Sequence, residues 1–395
     1  MKLLKAFLCL TLLTILSCQK DANRSVCDQQ IDDLKINQLQ YLASQNSYRM
    51  RTYEPVYDAL DKGLGLFSKY KQPAGWDYTH ETLEDQLNKH NIRGLEFDIY
   101  YDPDGGLFYH RAGNRLVGEP TASSVSELNE PGFKILHQPD FDYMSHHYTF
   151  KSALEAVKNW SNANKNHLPL TILVEPKDDA YVSAATLLLP VDLLTRPKLI
   201  TPAALDFIDK EIEEIFGKNA KKIITPDEVR GDFETLEEAI LTNGWPKLKD
   251  ARGKIMFVLA NSGFEKSYYL NGHPSLTGRQ MFTFSKPGKP ECAFVRFNKP
   301  EKDLEEIQDL VAKGYMVRTL AEDGTKAAKE GDISQMEAAF ASGAQIISTH
   351  YYRADERHKE SEDWTDYTVQ FPSGELAVVN FMNGDSSRAS CPVRE

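Results

Sequence analysis

Three carboxylates and one amide stand at the ends of short apolar runs, and together they ask for a cation. In Leu95-Glu96-Phe97-Asp98-Ile99 the side chains alternate. Glu96 and Asp98 therefore share one face of an extended segment, while Leu95, Phe97 and Ile99 share the other. Carboxylates this close raise each other's pKa unless a positive charge lies between them. Glu175 follows Leu170-Thr-Ile-Leu-Val, and Asn46 follows the run 38–44. An all-oxygen set of this kind suits a hard dication, and its flexible geometry favours calcium over magnesium. A substrate hydroxyl or phosphate would fill the open positions. His137 closes the run Phe133-Lys-Ile-Leu and is followed by Gln138-Pro139-Asp140-Phe141-Asp142-Tyr143. A histidine at the carboxyl end of a strand can donate a proton to a departing alkoxide, an effect of roughly 100 to 10,000-fold in rate. His80, His90, His146, His147 and His167 are read as structural.

Eight apolar runs are candidate parallel strands: 38–44, 94–101, 133–137, 169–175, 253–260, 293–298, 315–321 and 344–350. Helical signals lie between several of them. Phe150, Ala153, Leu154, Val157 and Trp160 recur at three- and four-residue spacing, and 235–241 and 304–311 read the same way. Residues 226–250 make a longer excursion before the fifth strand. Alternating strands and helices predict a TIM-type (β/α)8 barrel, an α/β fold whose chemistry sits at the carboxyl ends of the strands. Alternation in Tyr367-Thr-Val-Gln-Phe and Leu376-Ala-Val-Val-Asn-Phe predicts an antiparallel pair behind the barrel, a C-terminal β extension. Tyr100, Tyr101, Tyr109, Tyr351 and Tyr352 are candidates to line a sugar or inositol pocket.

The 395-residue chain carries a formal net charge of −12. Its amino terminus has Lys2, Lys5 and an apolar run from Ala6 to Leu16, too short to span a bilayer and laid out like a secretory leader. Ser17-Cys18 resembles a lipobox, so the expected organisation is a leader over 1–17, a tether lipidated at Cys18 over 18–36, and a barrel over 37–395. Gln19-Lys20-Asp21 resembles a surface-export signal, which gives a lipid-anchored location on a bacterial outer membrane, facing the cell surface. An acidic chain disfavours nucleic acid as a partner, and also docking on anionic lipid, leaving the lipid anchor as the membrane attachment. Cys9 lies in the leader. Cys27 and Cys391, near opposite ends, are placed to staple an exported barrel or to remain free thiols, and no Cys/His spacing suggests zinc.

From about Asn37 onward the chain resembles the bacterial calcium-dependent phosphoinositide-specific phospholipase C family, within the PLC-like phosphodiesterases. The markers are Ser44-Gln-Asn-Ser-Tyr, Leu83-Glu-Asp-Gln-Leu, Gly94-Leu-Glu-Phe-Asp, His137-Gln-Pro-Asp-Phe-Asp-Tyr, Glu175-Pro-Lys, Ile224-Thr-Pro-Asp-Glu-Val-Arg-Gly, Gly244-Trp-Pro and Ala341-Ser-Gly-Ala-Gln-Ile-Ile-Ser-Thr. The resemblance implies that Asn46, Glu96, Asp98 and Glu175 occupy calcium-ligand positions, with Glu96 and Glu175 also candidate catalytic groups. It implies that His137 is the second catalytic histidine. A substrate hydroxyl would attack the neighbouring phosphorus of a small phosphodiester or lipid headgroup, forming a cyclic phosphodiester and releasing an alcohol. Lys177 and Arg318 are candidates to hold phosphate oxygens.

Three departures fall within matching motifs. Gln45 stands where the family has its first catalytic histidine, Leu320 and Glu322 stand in an Arg-Thr-Arg-Ala-Asp pattern, and His350 replaces an aspartate after Ser348-Thr349. An amide cannot carry or transfer a proton. In a closed barrel the last strand pairs with the first, so His350 is expected beside Gln45, supplying the missing imidazole. The departures imply altered specificity. A glycan-cleaving hydrolase or lyase, and a non-catalytic calcium-dependent binder, are the alternatives.

Overall fold

The computed structural model describes residues 26–65, 74–179, 188–218 and 220–395. The expected leader, over 1–17, and Cys18 lie outside the described residues. Among the described residues ten strands run in chain order as β1 (Leu39–Ser44), β2 (Ile92–Tyr100), β3 (Lys134–Ile135), β4 (Leu170–Lys177), β5 (Ile255–Leu259), β6 (Met281–Thr283), β7 (Phe294–Arg296), β8 (Met316–Leu320), β9 (Ile346–Thr349) and β10 (Ala377–Val379). Eight of them are parallel in the order β6-β5-β4-β2-β1-β9-β8-β7. A parallel bridge between Phe284 and Phe294 joins the two outer strands and closes the barrel. The fold is the predicted TIM-type barrel.

Two of the expected strands require correction. The run at 133–137 is not a barrel strand, because β3 pairs antiparallel with the outer end of β2, Ile135 opposite Ile99 and Lys134 opposite Tyr100. The nine-residue β2 outgrows its neighbours, and β3 forms a lip on that overhang. The eighth parallel strand is instead β6, whose three residues make too short an apolar run to stand out in the sequence. In the tail, β10 pairs antiparallel with β1, Val379 opposite Leu39, whereas Tyr367-Thr-Val-Gln-Phe forms no strand and so no antiparallel pair with it.

The helical layer follows its apolar spacing. Phe150, Ala153, Leu154, Val157 and Trp160 are all buried on the helix Phe150–Ala163, which Thr149 caps by accepting the Ser152 N–H at 3.1 Å. Residues 226–250 break into three short helices, Pro226–Arg230, Leu236–Thr242 and Leu248–Ala251. None of the described helices is long and apolar enough to cross a membrane.

Residues 26–36, assigned by sequence to the tether, are folded onto the barrel. The helix Val26–Asp32 and the turn after it bury Ile31, Leu34 and Ile36 in the main core. A disulfide links Cys27 to Cys391, with Cα atoms 5.2 Å apart across 364 residues of sequence. Cys292 is a buried free thiol. Closing so long a loop restricts the unfolded chain, so Cys27→Ser is expected to remove about 2–5 kcal/mol of stability. Urea titrations of the variant and of reduced wild type should shift to the same lower midpoint.

Candidate active site

The register of two strands brings the acidic residues together. Asp98 on β2 lies directly opposite Glu175 on β4, and Glu96 lies two residues back on the same face as Asp98. On the other face Leu95, Phe97 and Ile99 are fully buried, and the Phe97 ring meets Phe150 of the helical layer edge to face at 6.4 Å. One carboxylate oxygen from each of Glu96, Asp98 and Glu175 lies within 4.8 Å of the others. Burial raises the Glu96 pKa, with Arg318 opposing and Glu175 adding to the rise. Asp98 is raised in the same way, with Lys177 opposing and both neighbouring carboxylates adding.

Two cations flank the cluster. Lys177 Nζ donates to Asp98 Oδ2 at 2.5 Å, and Arg318 Nη2 pairs with Glu96 Oε2 at 3.2 Å. Both candidate phosphate-binding residues are thus at the site, and both are engaged with carboxylates. Asp98 Oδ1 is buried with no hydrogen-bond partner. A buried carboxylate oxygen left bare is expensive unless a ligand meets it. Three crowded carboxylates and that bare oxygen fit a hard cation such as calcium.

The turn after β1 carries Gln45 and Asn46. Asn46 has φ 51°, a left-handed conformation that asparagine tolerates better than most residues. Ser47 ties this turn to β2 twice: its N–H donates to the Glu96 carbonyl at 3.0 Å, and its hydroxyl accepts the Glu96 N–H at 2.8 Å. Asn46 is thereby held beside Glu96, and its Nδ2 donates to the Tyr78 hydroxyl at 3.1 Å. The Gln45 N–H donates to the Thr349 carbonyl at 3.0 Å, while its own carbonyl accepts from His80 Nε2 at 2.7 Å. Gln45 Oε1 and His80 Nδ1 are both buried without a partner.

His137 sits on the β3 lip rather than on a barrel strand. Its Nδ1 is 2.6 Å from Asp142 Oδ2, and that same oxygen accepts from Arg49 Nε at 2.6 Å. Asp142 Oδ1 accepts from the Thr52 hydroxyl at 2.6 Å. Burial would raise the Asp142 pKa, but Arg49 and His137 overcome it and hold it at about 2. Burial lowers His137 to about 4 despite Asp142, and Lys177 contributes to the fall, so the ring lies within electrostatic reach of the cluster. An anionic phosphodiester alongside would favour its protonated form.

His350 ends β9 beside Gln45. Its Nδ1 is 3.1 Å from Glu322 Oε1, and its ring lies 4.3 Å from the Tyr78 ring. Of the tyrosines, Tyr100, Tyr351 and Tyr352 are buried, Tyr352 stacking on His80. Tyr101 packs outward on Phe133 and Phe207, so it does not line the site. The contributions of Arg49 and Tyr78 were not read from sequence. Arg49 follows the Ser44–Tyr48 motif by one residue, and a lone arginine there carries no signal of the carboxylate it will meet.

A parallel barrel with a three-carboxylate cluster at its strand ends, one histidine at the end of β9 and another on the β3 lip is the architecture of a phospholipase C-like phosphodiesterase. The family model of calcium-dependent phosphoinositide phospholipase C matches residues 34–381, and the chain belongs to that family. It is a calcium-dependent enzyme class, and the acidic cluster suits that ion. Among solved structures, the calcium-dependent phosphoinositol-specific phospholipase C of a Pseudomonas species is 15% identical with a TM-score of 0.49, over 83% of this chain and 95% of that one. The phosphatidylinositol-specific enzyme of Streptomyces antibioticus is 15% identical with a TM-score of 0.47, over 80% and 95%. A variant of the Staphylococcus aureus enzyme is 10% identical with a TM-score of 0.40, over 82% and 92%. No curated protein matches the chain.

Calcium binding should stabilise the fold by an amount that grows with the logarithm of calcium concentration over its dissociation constant. A rise in melting temperature with added calcium is expected, and Asp98→Asn should abolish it while leaving the magnesium response small in both proteins. Asp142→Asn strands a buried arginine and is expected to cost about 3–5 kcal/mol by urea titration. The folded pKa of Asp142, about 2, lies below its ordinary value of 3.8. Its ionic contribution is therefore complete above pH 3.8 and lost as pH falls through about 2, so the cost should be equal at pH 7 and pH 5.

Proposed function

We propose that the chain cleaves a phosphoinositide-type headgroup by attack of a neighbouring hydroxyl on phosphorus, with calcium held by Asn46, Glu96, Asp98 and Glu175. The observation that carries this reading is the bare Asp98 Oδ1 inside a three-carboxylate cluster beside an oriented imidazole. Calcium, when bound, supplies a Lewis acid that polarises the phosphoryl group and favours ionisation of the hydroxyl. Lys177 and Arg318 balance two of the three carboxylates and keep the cluster from repelling an anionic substrate. With Nδ1 turned to Asp142, His137 presents Nε2 to the departing oxygen and, once the anionic phosphodiester alongside has drawn a proton onto the ring, hands it that proton. Arg49 fixes Asp142 and so the ring's orientation, as partners of functional histidines commonly do.

Specificity is altered toward headgroups with few extra phosphates. Leu320 follows Arg318 by two residues on β8, so it stands on the same face one step nearer the rim, where the family pattern has a second arginine. That leucine removes a positive charge from the approach to the site. The chain is exported and anchored through a lipid on Cys18 at the outer membrane surface. The Cys27–Cys391 disulfide supports export, since such bonds persist in oxidising compartments.

Phosphatidylinositol incubated with the soluble chain should yield cyclic inositol phosphate with calcium and none with chelator or with Asp98→Asn. The 4,5-bisphosphate lipid should react more slowly than phosphatidylinositol. Well-folded protein without product would discard this substrate.

A further inference from the structure

Gln45 leaves the attacking hydroxyl without the imidazole that the family places there, and its side-chain amide cannot hold a proton. We propose that Glu322 and His350 form the dyad that takes this proton, with His350 Nε2 as the acceptor and Glu322 as its positioning residue. The assignment rests on the phosphodiesterase reading above.

Glu322 is fully buried and accepts three hydrogen bonds from one neighbouring strand end. The His350 N–H donates to Oε1 at 2.6 Å, the Thr349 hydroxyl donates to Oε2 at 2.8 Å, and His350 Nδ1 lies 3.1 Å from Oε1. With the carboxylate accepting at Nδ1, the neutral ring keeps its lone pair on Nε2. No described residue hydrogen-bonds that atom, and the ring lies between Tyr78, whose hydroxyl meets Asn46, and a 220 Å³ cavity lined by Arg51, Arg353 and Arg357 but by none of the carboxylate cluster. The place is also right. β9 pairs in parallel with β1, Thr349 opposite Ser44, so His350 begins where Gln45 does. Tyr78 spans the gap to the metal set, its ring on His350 and its hydroxyl on Asn46.

The two histidine–carboxylate pairs differ in one respect that divides their roles. Asp142 is shared with Arg49 at 2.6 Å, so much of its charge is spent before it reaches His137. Glu322 forms no ion pair with lysine or arginine among the described residues, so its charge is left to neutral donors and to an imidazolium at His350. A histidine beside an unshared carboxylate is the better base, and one beside a neutralised carboxylate is the better acid. In the step, the hydroxyl proton passes to His350 Nε2 as its oxygen bonds phosphorus. The bond from phosphorus to the alcohol breaks, and His137 gives that oxygen a proton. Both rings then exchange protons with water to reset.

Two substrates separate base from acid: phosphatidylinositol, and a 2-hydroxyalkyl p-nitrophenyl phosphate whose leaving group needs no proton. His350→Asn keeps a donor for Glu322 but lacks Nε2. It is expected to lower kcat at least about 100-fold on both substrates. His137→Ala should be as damaging on phosphatidylinositol and recover most of its loss on the nitrophenyl diester. Glu322→Gln should lower kcat about 10 to 100-fold at unchanged KM. Adding Gln45→His to His350→Asn should regain about tenfold or more. The calcium-induced rise in melting temperature checks that each variant is folded and binds metal. Turnover of His350→Asn within threefold of wild type, or its recovery on the nitrophenyl diester, would overturn the dyad alone. No calcium-dependent turnover of either substrate by wild type would overturn the phosphodiesterase reading and the dyad with it.

Discussion

The pairing of β2 with β4 sets Asp98 against Glu175, and the rest of the site is arranged around the difficulty this creates. Three carboxylates are forced together in a place with little water, where like charges are poorly screened. The barrel answers from its own strands. Lys177 lies two residues beyond Glu175 on the same strand face and closes on Asp98, while Arg318 reaches Glu96 from β8. Each cation meets one carboxylate, so the cluster keeps a net negative charge and one bare oxygen. A fold that fully neutralised these acids would be comfortable without metal and would have no reason to take one.

Much of this was legible because barrel chemistry obeys strand periodicity. Glu96 and Asp98 advertise themselves by alternating with Leu95, Phe97 and Ile99, and Glu175 by ending an apolar run. His350 could be placed beside Gln45 from closure alone, and the backbone bond from Gln45 to Thr349 realises that neighbourhood. What sequence could not supply was length and direction. A three-residue strand such as β6 carries too few positions to show a period, and an apolar run such as Phe133-Lys-Ile-Leu does not say whether its neighbour runs parallel or antiparallel to it. Pairings across the chain were equally hidden. Nothing local to Arg49 predicts Asp142, which lies 93 residues away, and Tyr78 gains its role only by lying between Asn46 and His350.

Hydrogen bonds hold the front of the barrel in a definite sense of direction. Ser47 grips Glu96 from both sides of its peptide, Glu322 grips the end of β9 through three donors, and Arg49 grips the lip through Asp142. Each clamp joins a segment beyond a strand end to a neighbour that is itself rigid. Reactive groups on turns gain in this way the positional precision of groups on strands.

The disulfide between Cys27 and Cys391 closes the stretch of chain between them into a covalent ring. A protease that cuts one surface loop anywhere between those cysteines produces two pieces that stay covalently joined, so a nicked molecule keeps its full mass until it is reduced. Both pieces remain at high effective concentration, and the noncovalent barrel can re-form without a bimolecular encounter. Damage to one loop then becomes an injury the fold can outlast.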